Sequence, residues 1–356
     1  MRIAIIGAGI TGQACALECE RLGAHAEIFE RTNSVGWPWP SVTYWPQIIM
    51  NKFGDPREYL KQNFKLDFTP LSECKKIIMR SPNNTVEING NLGYFMSRGK
   101  NIESLENQIL RQLYRTPVTY NYQLDFEEAA GSYDFVVIAS GSDTEARKMG
   151  IWKDEGNVII MGGVALGAFD KSASTIFFNT GYAGTGYARI TPFNPSSAMV
   201  GLYAIGKDYQ SLLELYSSFL KAENLHNLQF SFQLIPPVFT TGRITKFRTG
   251  NVLLAGRAAG LTERILGVGA LHSLISGTLA ARSNILGDDY EAGMRDLQAH
   301  IENISSFRKV IDKFDNTAFD RVLSVLGTPG IKQLTYNSGI DIIGLTGSIL
   351  NKLNHN

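Results

Sequence analysis

The residues with the clearest chemical use stand near the start of the chain. Gly7-Ala8-Gly9-Ile10-Thr11-Gly12 has the spacing G-x-G-x-x-G, and Glu30 follows 18 residues after Gly12. Such glycines suit an anionic pyrophosphate. Gly7 permits a tight turn, Gly9 lets phosphates approach the backbone, and Gly12 lets a helix lie close on a strand. The helix N-terminus, with its unpaired N–H groups and positive dipole end, then points at the phosphates. Glu30 is placed to accept hydrogen bonds from a ribose hydroxyl, and its charge opposes a 2′-phosphate. That favours FAD or NAD over NADP, while Arg31 beside it pulls the other way.

These residues need a strand, a turn and a helix to position them. Ile3-Ala4-Ile5-Ile6 is continuously apolar and predicts a buried strand over residues 2–6. A helix rich in Ala, Leu, Glu, Gln and Arg follows to Leu22, where Gly23 closes it, and a second strand is predicted over residues 26–29. Further on, Asn101 is the expected N-cap of a helix with Ile102, Leu105, Ile109 and Leu113 at helical spacing. A strand over residues 133–139 runs into Ser140-Gly141-Ser142-Asp143-Thr144-Glu145-Ala146-Arg147. Residues 251–255 predict another strand, turning at Gly256 into Arg257-Ala258-Ala259-Gly260. After it, Gly267-Val268-Gly269 opens a helix to about Ile285, whose small residues permit close packing. Between Gly163 and Thr241 the alternation gives way to short β segments at residues 175–178, 187–191, 199–204 and 229–234, with a helix near 210–223. Residues 290–314 place Met294, Leu297, Ile301, Ile304 and Ile311 on one face of a single amphipathic helix.

In this order, the motifs resemble the FAD-dependent oxidoreductases of the aromatic-hydroxylase fold over about residues 1 to 285. Gly186-Tyr187-Ala188-Arg189-Ile190-Thr191-Pro192 is most similar to the geranylgeranyl reductase branch, in which a Tyr-x-Trp-x-x-Pro pattern lines the substrate site. The resemblance implies an α/β fold: a Rossmann-type FAD-binding domain (1–50, 93–162, 242–285), an antiparallel-sheet substrate domain (51–92, 163–241) and a C-terminal helical region (286–356). It also implies roles. Gly7 to Gly12 and Glu30 would hold the ADP half of FAD, and Arg98 would reach toward the phosphates or flavin. Gly256 and Arg257 would meet the pyrophosphate and ribityl chain. Backbone N–H groups of Gly267, Val268 and Gly269 would face the flavin, where reduction develops negative charge. Trp39, Tyr187 and Arg189 are the candidate substrate contacts. The implied activity is reduction of carbon–carbon double bonds in an apolar, isoprenoid-like substrate by an unidentified electron donor. A hydroxylase of the same fold and a non-catalytic protein with a vestigial site are the alternatives. No proton donor is singled out among Tyr187, Glu263 and a water.

The chain departs from the family pattern at several places. Ser140 and Arg257 stand where acids are usual, Arg264 where a proline is expected, and Val268 where a glutamate is expected. Arg189 replaces a tryptophan. A fixed positive charge at Arg257 or Arg264 would favour reduced, anionic flavin, and Arg189 suits an acidic substrate group or a structural ion pair.

Composition sets the outer bounds. The 356 residues are 44% apolar, with a formal charge of +1, so no global field attracts nucleic acid or an anionic membrane. Cys15, Cys19 and Cys74 make no disulfide framework, and five scattered histidines suggest no metal site. The N-terminal segment meets glycine too soon for a secretory signal, and no run of 18 apolar residues appears, which points to a cytoplasmic protein. The segment from Ile340 to Leu353 is a weak candidate for peripheral membrane contact.

Overall fold

The computed structural model describes residues 1–36 and 40–328. Trp37 and Trp39, and the segment from Ile340 to Leu353, lie outside the described residues. Ile3, Ala4 and Ile5 have no exposed surface, as a continuously apolar strand requires when layers cover both its faces. Strand Arg2–Ile6 is central in a six-stranded sheet with the order Arg248–Thr249, Val252–Leu254, Phe135–Ile138, Arg2–Ile6, His25–Phe29, Val118–Thr119. The neighbours run parallel except for the outermost pair, Arg248–Thr249 with Val252–Leu254. This is the doubly wound arrangement, whose ligands sit at the carboxyl ends of the strands.

The first helix is Ile10–Arg21, and Gly23 follows it at φ +76°. Across it lies the long helix Ala270–Leu286. A Cβ on Gly277 would stand 2.1 Å from the Thr11 carbonyl oxygen, so the small residues of the long helix serve backbone-to-backbone packing. Buried Glu18 ties the two helices together, accepting from Arg21 Nη2 and from Arg282 Nε, both at 2.6 Å.

The second sheet has nine strands and contains all four β segments expected between Gly163 and Thr241, as Ala173–Phe177, Tyr187–Asn194, Ser197–Ala204 and Gln229–Leu234. It is antiparallel apart from Ser72–Arg80, which pairs in parallel with Ala173–Phe177. The sheet curls. Arg189, on one strand, donates from Nη2 to the Val42 carbonyl at 3.1 Å, although Val42 lies on Ser41–Pro46 at the far edge of the strand order. Val42, Tyr44, Phe95, Ile176, Tyr187 and Met199 pack together as one apolar cluster of this sheet.

Two local expectations are corrected. Asn101 is not an N-cap: its Oδ1 accepts from Glu103 N at 3.1 Å and meets Ser97, forming a turn. Ser104 caps the helix instead, which spans Leu105–Leu110 and leaves Ile102 72% exposed. The stretch after Tyr290 is two helices, Tyr290–Ser305 and Arg308–Ile311. Arg308 is buried, bonded to Asp312 Oδ1 at 2.7 Å and to the Thr185 carbonyl at 2.8 Å, and the two helices are separated only at Ser306 and Phe307, which keep right-handed helical dihedrals.

Candidate functional site

The glycine loop joins the first strand to the first helix, and its three glycines have different reasons to be glycine. Gly7 sits at φ +106°, and a Cβ there would stand 2.6 Å from the Ala139 carbonyl oxygen. A Cβ on Gly12 would fall 2.0 Å from the Gly7 carbonyl oxygen. Both positions are dictated by the chain's own crossing. Gly9 is not: it has φ −74° and ψ 178°, which other residues adopt freely, and nothing lies within 4 Å of a Cβ built on it. As N-cap of the first helix it supplies no side-chain acceptor, so the N–H groups of that helix's first turn are left for something else.

Glu30 directly follows the second strand beside this loop. One carboxylate oxygen accepts from Ala8 N at 2.9 Å, and the other accepts from the N–H and hydroxyl of Thr32 at 2.9 and 2.8 Å. The Ala8 N–H is therefore taken by the protein. Glu30, Arg31, Gly7 and Ser140 border a cavity of about 160 Å³ at the carboxyl ends of the strands. Ser140, standing where the resemblance expects an acid, donates to Glu145 Oε2 at 2.8 Å.

The late loop is folded onto this region. Gly256 has φ +62°, and a Cβ there would lie 2.4 Å from Thr11 Oγ1; its N–H donates to Ser276 Oγ at 2.9 Å. Arg257 follows, its guanidinium 3.7 Å from the centre of the Phe239 ring. Burial pushes the Arg257 pKa down to about 10, opposed by Asp143. Asp143 is itself bonded to Arg147 Nε at 2.7 Å and Thr240 Oγ1 at 2.8 Å. Arg98 is held by buried Glu106 through a 2.6 Å ion pair, so its charge is already compensated.

The turn before the long helix differs from expectation in one respect. The Val268 N–H donates to Glu263 Oε1 at 2.7 Å, and the same carboxylate accepts from Ile265 at 2.6 Å and Leu266 at 2.9 Å. Val268 thus has no N–H to offer a ligand. Burial pushes the Glu263 pKa up, while the three N–H groups work in the opposite direction. Gly267 is exposed at φ +72°, and Gly269 caps the long helix with no side-chain acceptor for its first-turn N–H groups.

Next to this turn is a cavity of about 320 Å³ whose walls include Tyr187, Tyr203, Phe239, Ile265 and Gly267. Tyr187 stacks on Tyr203 with centroids 4.8 Å apart, and its hydroxyl donates to the Leu266 carbonyl at 2.6 Å. Burial pushes the Tyr187 pKa up, so its phenol keeps its proton. Arg189 lies 5.6 Å from the centre of the Tyr203 ring and has no carboxylate within ion-pair distance among the described residues. Sequence reasoning missed this cavity's Arg308 and the role of Glu263. Neither carries a signal, because each acts through contacts with distant or backbone groups. It also missed a buried contact between His272 Nε2 and His300 Nδ1 at 2.9 Å. Among the described residues no group of three or more His, Cys, Asp or Glu side chains gathers as a metal site. No described helix is long and apolar enough to cross a membrane.

No family model and no curated protein matches the sequence. Solved structures do match in fold. A geranylgeranyl bacteriochlorophyll reductase-like protein from Thermoplasma acidophilum aligns with TM-score 0.72 at 12% identity over 98% of both chains. A flavin-dependent brominase aligns with TM-score 0.68 at 14% identity, over 100% of this chain and 98% of that one. The p-nitrophenol 4-monooxygenase of Pseudomonas putida aligns with TM-score 0.65 at 13% identity, over 99% and 97%. The chain has the fold of these flavin-dependent enzymes.

Proposed function

We propose that this protein is an FAD-dependent oxidoreductase whose reaction is the reduction of carbon–carbon double bonds in an apolar, isoprenoid-like substrate. The observation that carries the cofactor is Gly9. Its glycine identity answers to no backbone strain and no protein neighbour, yet it opens an uncapped helix beside Glu30. A pyrophosphate against the backbone accounts for a glycine there. Gly7, Ala8, Gly9, Ile10, Thr11 and Gly12 would frame the ADP half, with Glu30 and Arg31 at the ribose. Gly256 and Arg257 would follow the chain toward the flavin, which Gly267 and Gly269 would meet at the head of the long helix.

Bound FAD would supply hydride transfer; the protein's own groups bind, orient and exclude water. The half-buried Arg257 charge would favour a more negative neighbour and so ease flavin reduction. Glu263 holds the turn at Ile265 to Val268 in one shape, and its carboxylate is committed to that task. Tyr187 is a protonated phenol at the cavity wall. Trp39 remains a proposed substrate contact on the sequence resemblance alone. The hydroxylase reading draws on the same fold, shared with a monooxygenase. Anaerobic reduction followed by exposure to air separates the two. A reductase passes its electrons to the alkene, whereas a hydroxylase consumes oxygen in step with product hydroxylation. Protein that neither binds nor takes up FAD contradicts both.

A further inference from the structure

Two histidines outside the glycine framework share one buried spot. His272 stands in the first turn of the long helix, His300 in Tyr290–Ser305, and their Nε2 and Nδ1 atoms are 2.9 Å apart. His272 has no exposed surface, and its Nδ1 has no hydrogen-bond partner among the described residues. Phe53 covers the pair, its ring steeply inclined to both imidazoles with centroids 6.0 and 4.9 Å away, and Tyr59 backs Phe53 at 4.9 Å. Phe53 ends two short helical turns, Gln47–Met50 and Asn51–Phe53, between strand Ser41–Pro46 and helix Pro56–Phe64. This loop closes on itself. Gln47 Nε2 donates to the Gly54 carbonyl at 2.8 Å, and Gly54 has φ +70° with nothing within 4 Å of a Cβ. Its flanks are fixed, since Trp45 is fully buried, and Asp55 caps the next helix and accepts from the Tyr94 hydroxyl at 2.5 Å.

A second proton on His272 makes both ring nitrogens donors, one of them facing no acceptor, and buries a positive charge. Burial is the main cause holding its pKa well below the ordinary 6.5, and the charges of His300 and Lys52 push the same way. Nothing nearby offsets them. Of the surrounding elements, Pro56–Phe64 brings Tyr59, Tyr290–Ser305 brings exposed Asp296, whose charge acts on Tyr59, and Gly256–Ala259 brings Arg257. The first helix brings Glu18, already bound to Arg21 and Arg282, and none of these acids is within ion-pair distance of His272. We propose that His272 and His300 form an acid-operated latch: neutral, they hold the loop from Gln47 to Gly54 shut through Phe53, and proton uptake lets it swing off the first turn of the long helix. A base kept neutral only in the shut state stabilises that state in full above its ordinary pKa, and the contribution is lost as pH falls below it. For one histidine, the ratio of open to shut loop should be about tenfold higher at pH 5.5 than at pH 8. The latch stands whether or not the protein holds flavin.

Hydrogen exchange of the purified full chain at pH 5.5 and pH 8, read by mass spectrometry and corrected for the intrinsic exchange rate, tests it. Protection of the amides from 47 to 54 should fall about tenfold in acid, while strand Arg2–Ile6 keeps its protection. In the double variant His272→Gln, His300→Gln, the loop should be equally protected at both pH values. Phe53→Ala keeps both histidines and should leave the loop unprotected at either pH, so it answers the question even where the double variant fails to fold. Four results overturn the inference: equal protection of the wild-type loop at the two pH values, an acid loss shared by Arg2–Ile6, an acid response that survives removal of both histidines, or a loop that stays protected in Phe53→Ala.

Discussion

Replacing Gly9 by serine should raise stability and weaken cofactor binding at once. The position has φ −74° and ψ 178°, no Cβ contact within 4 Å and no side-chain cap on the helix it opens. Serine adopts that backbone without strain, and its hydroxyl can accept from a first-turn N–H. Removing glycine's freedom from the unfolded chain contributes about 0.4–1 kcal/mol. A serine cap adds a few tenths over glycine. The sum is about 0.5–1.5 kcal/mol. With an unfolding entropy of about 2.1 cal/mol/K per residue, the whole chain has about 750 cal/mol/K, so the melting temperature of flavin-free protein should rise by about 1–2 °C. The cofactor suffers the opposite effect. The new side chain occupies the approach to the backbone and takes N–H groups that would otherwise meet phosphate oxygens. Each such charge-assisted bond is worth about 1.5–3 kcal/mol, so losing two weakens FAD by about a hundredfold or more. The assay is paired: flavin retained after dialysis, and melting of the flavin-stripped variant beside stripped wild type. Retention of flavin by Gly9→Ser, or a melting temperature lowered by several degrees, would refute the reasoning.

Three further outcomes are expected. Arg257→Met removes a half-buried charge while keeping bulk over Phe239, so flavin-free protein should melt higher and the bound flavin should become harder to reduce; a redox titration identical to wild type would take Arg257 out of the site. Glu263→Gln replaces one acceptor oxygen by an amide donor that must face at least one of the three N–H groups, costing about 1–3 kcal/mol and speeding hydrogen exchange at Ile265 to Val268; unchanged exchange would show that the carboxylate does not hold the turn. Burial raises the Glu18 pKa, but the bonds from Arg21 and Arg282 outweigh it and hold it below its ordinary 4.5. A carboxyl depressed in the folded state stabilises at pH values above its unfolded pKa, and that contribution is lost as pH falls through the folded one. Urea midpoints at pH 7 and below pH 4 should therefore differ more for wild type than for Glu18→Gln, and an equal difference would remove the Glu18 clamp as a source of acid sensitivity.

The parallel sheet was legible because apolar runs and glycine turns are local signals. Ile3 to Ile6, Phe135 to Ile138 and the turn at Gly256 carry their structure in a few consecutive residues. The small residues from Gly269 to Ala281 also read correctly, since close helix packing demands them whatever the partner. What was not legible depends on groups far apart in sequence. The N-cap moved from Asn101 to Ser104 because Ser97 claims the Asn101 side chain. The burial of Arg308 depends on the Thr185 carbonyl, more than a hundred positions away in the chain, which no local spacing marks. Val268 lost its N–H to Glu263, and no periodicity marks that exchange. The glycine framework and Arg257 marked a candidate site in the sequence, while the partners of Glu263 became visible only in three dimensions.

The most direct test is the visible absorbance spectrum of the purified protein, with the chromophore released by denaturation and identified by chromatography. Oxidised-flavin bands, and released FAD stoichiometric with the chain, are the expected result. Colourless protein that stays colourless after incubation with FAD would contradict the central claim.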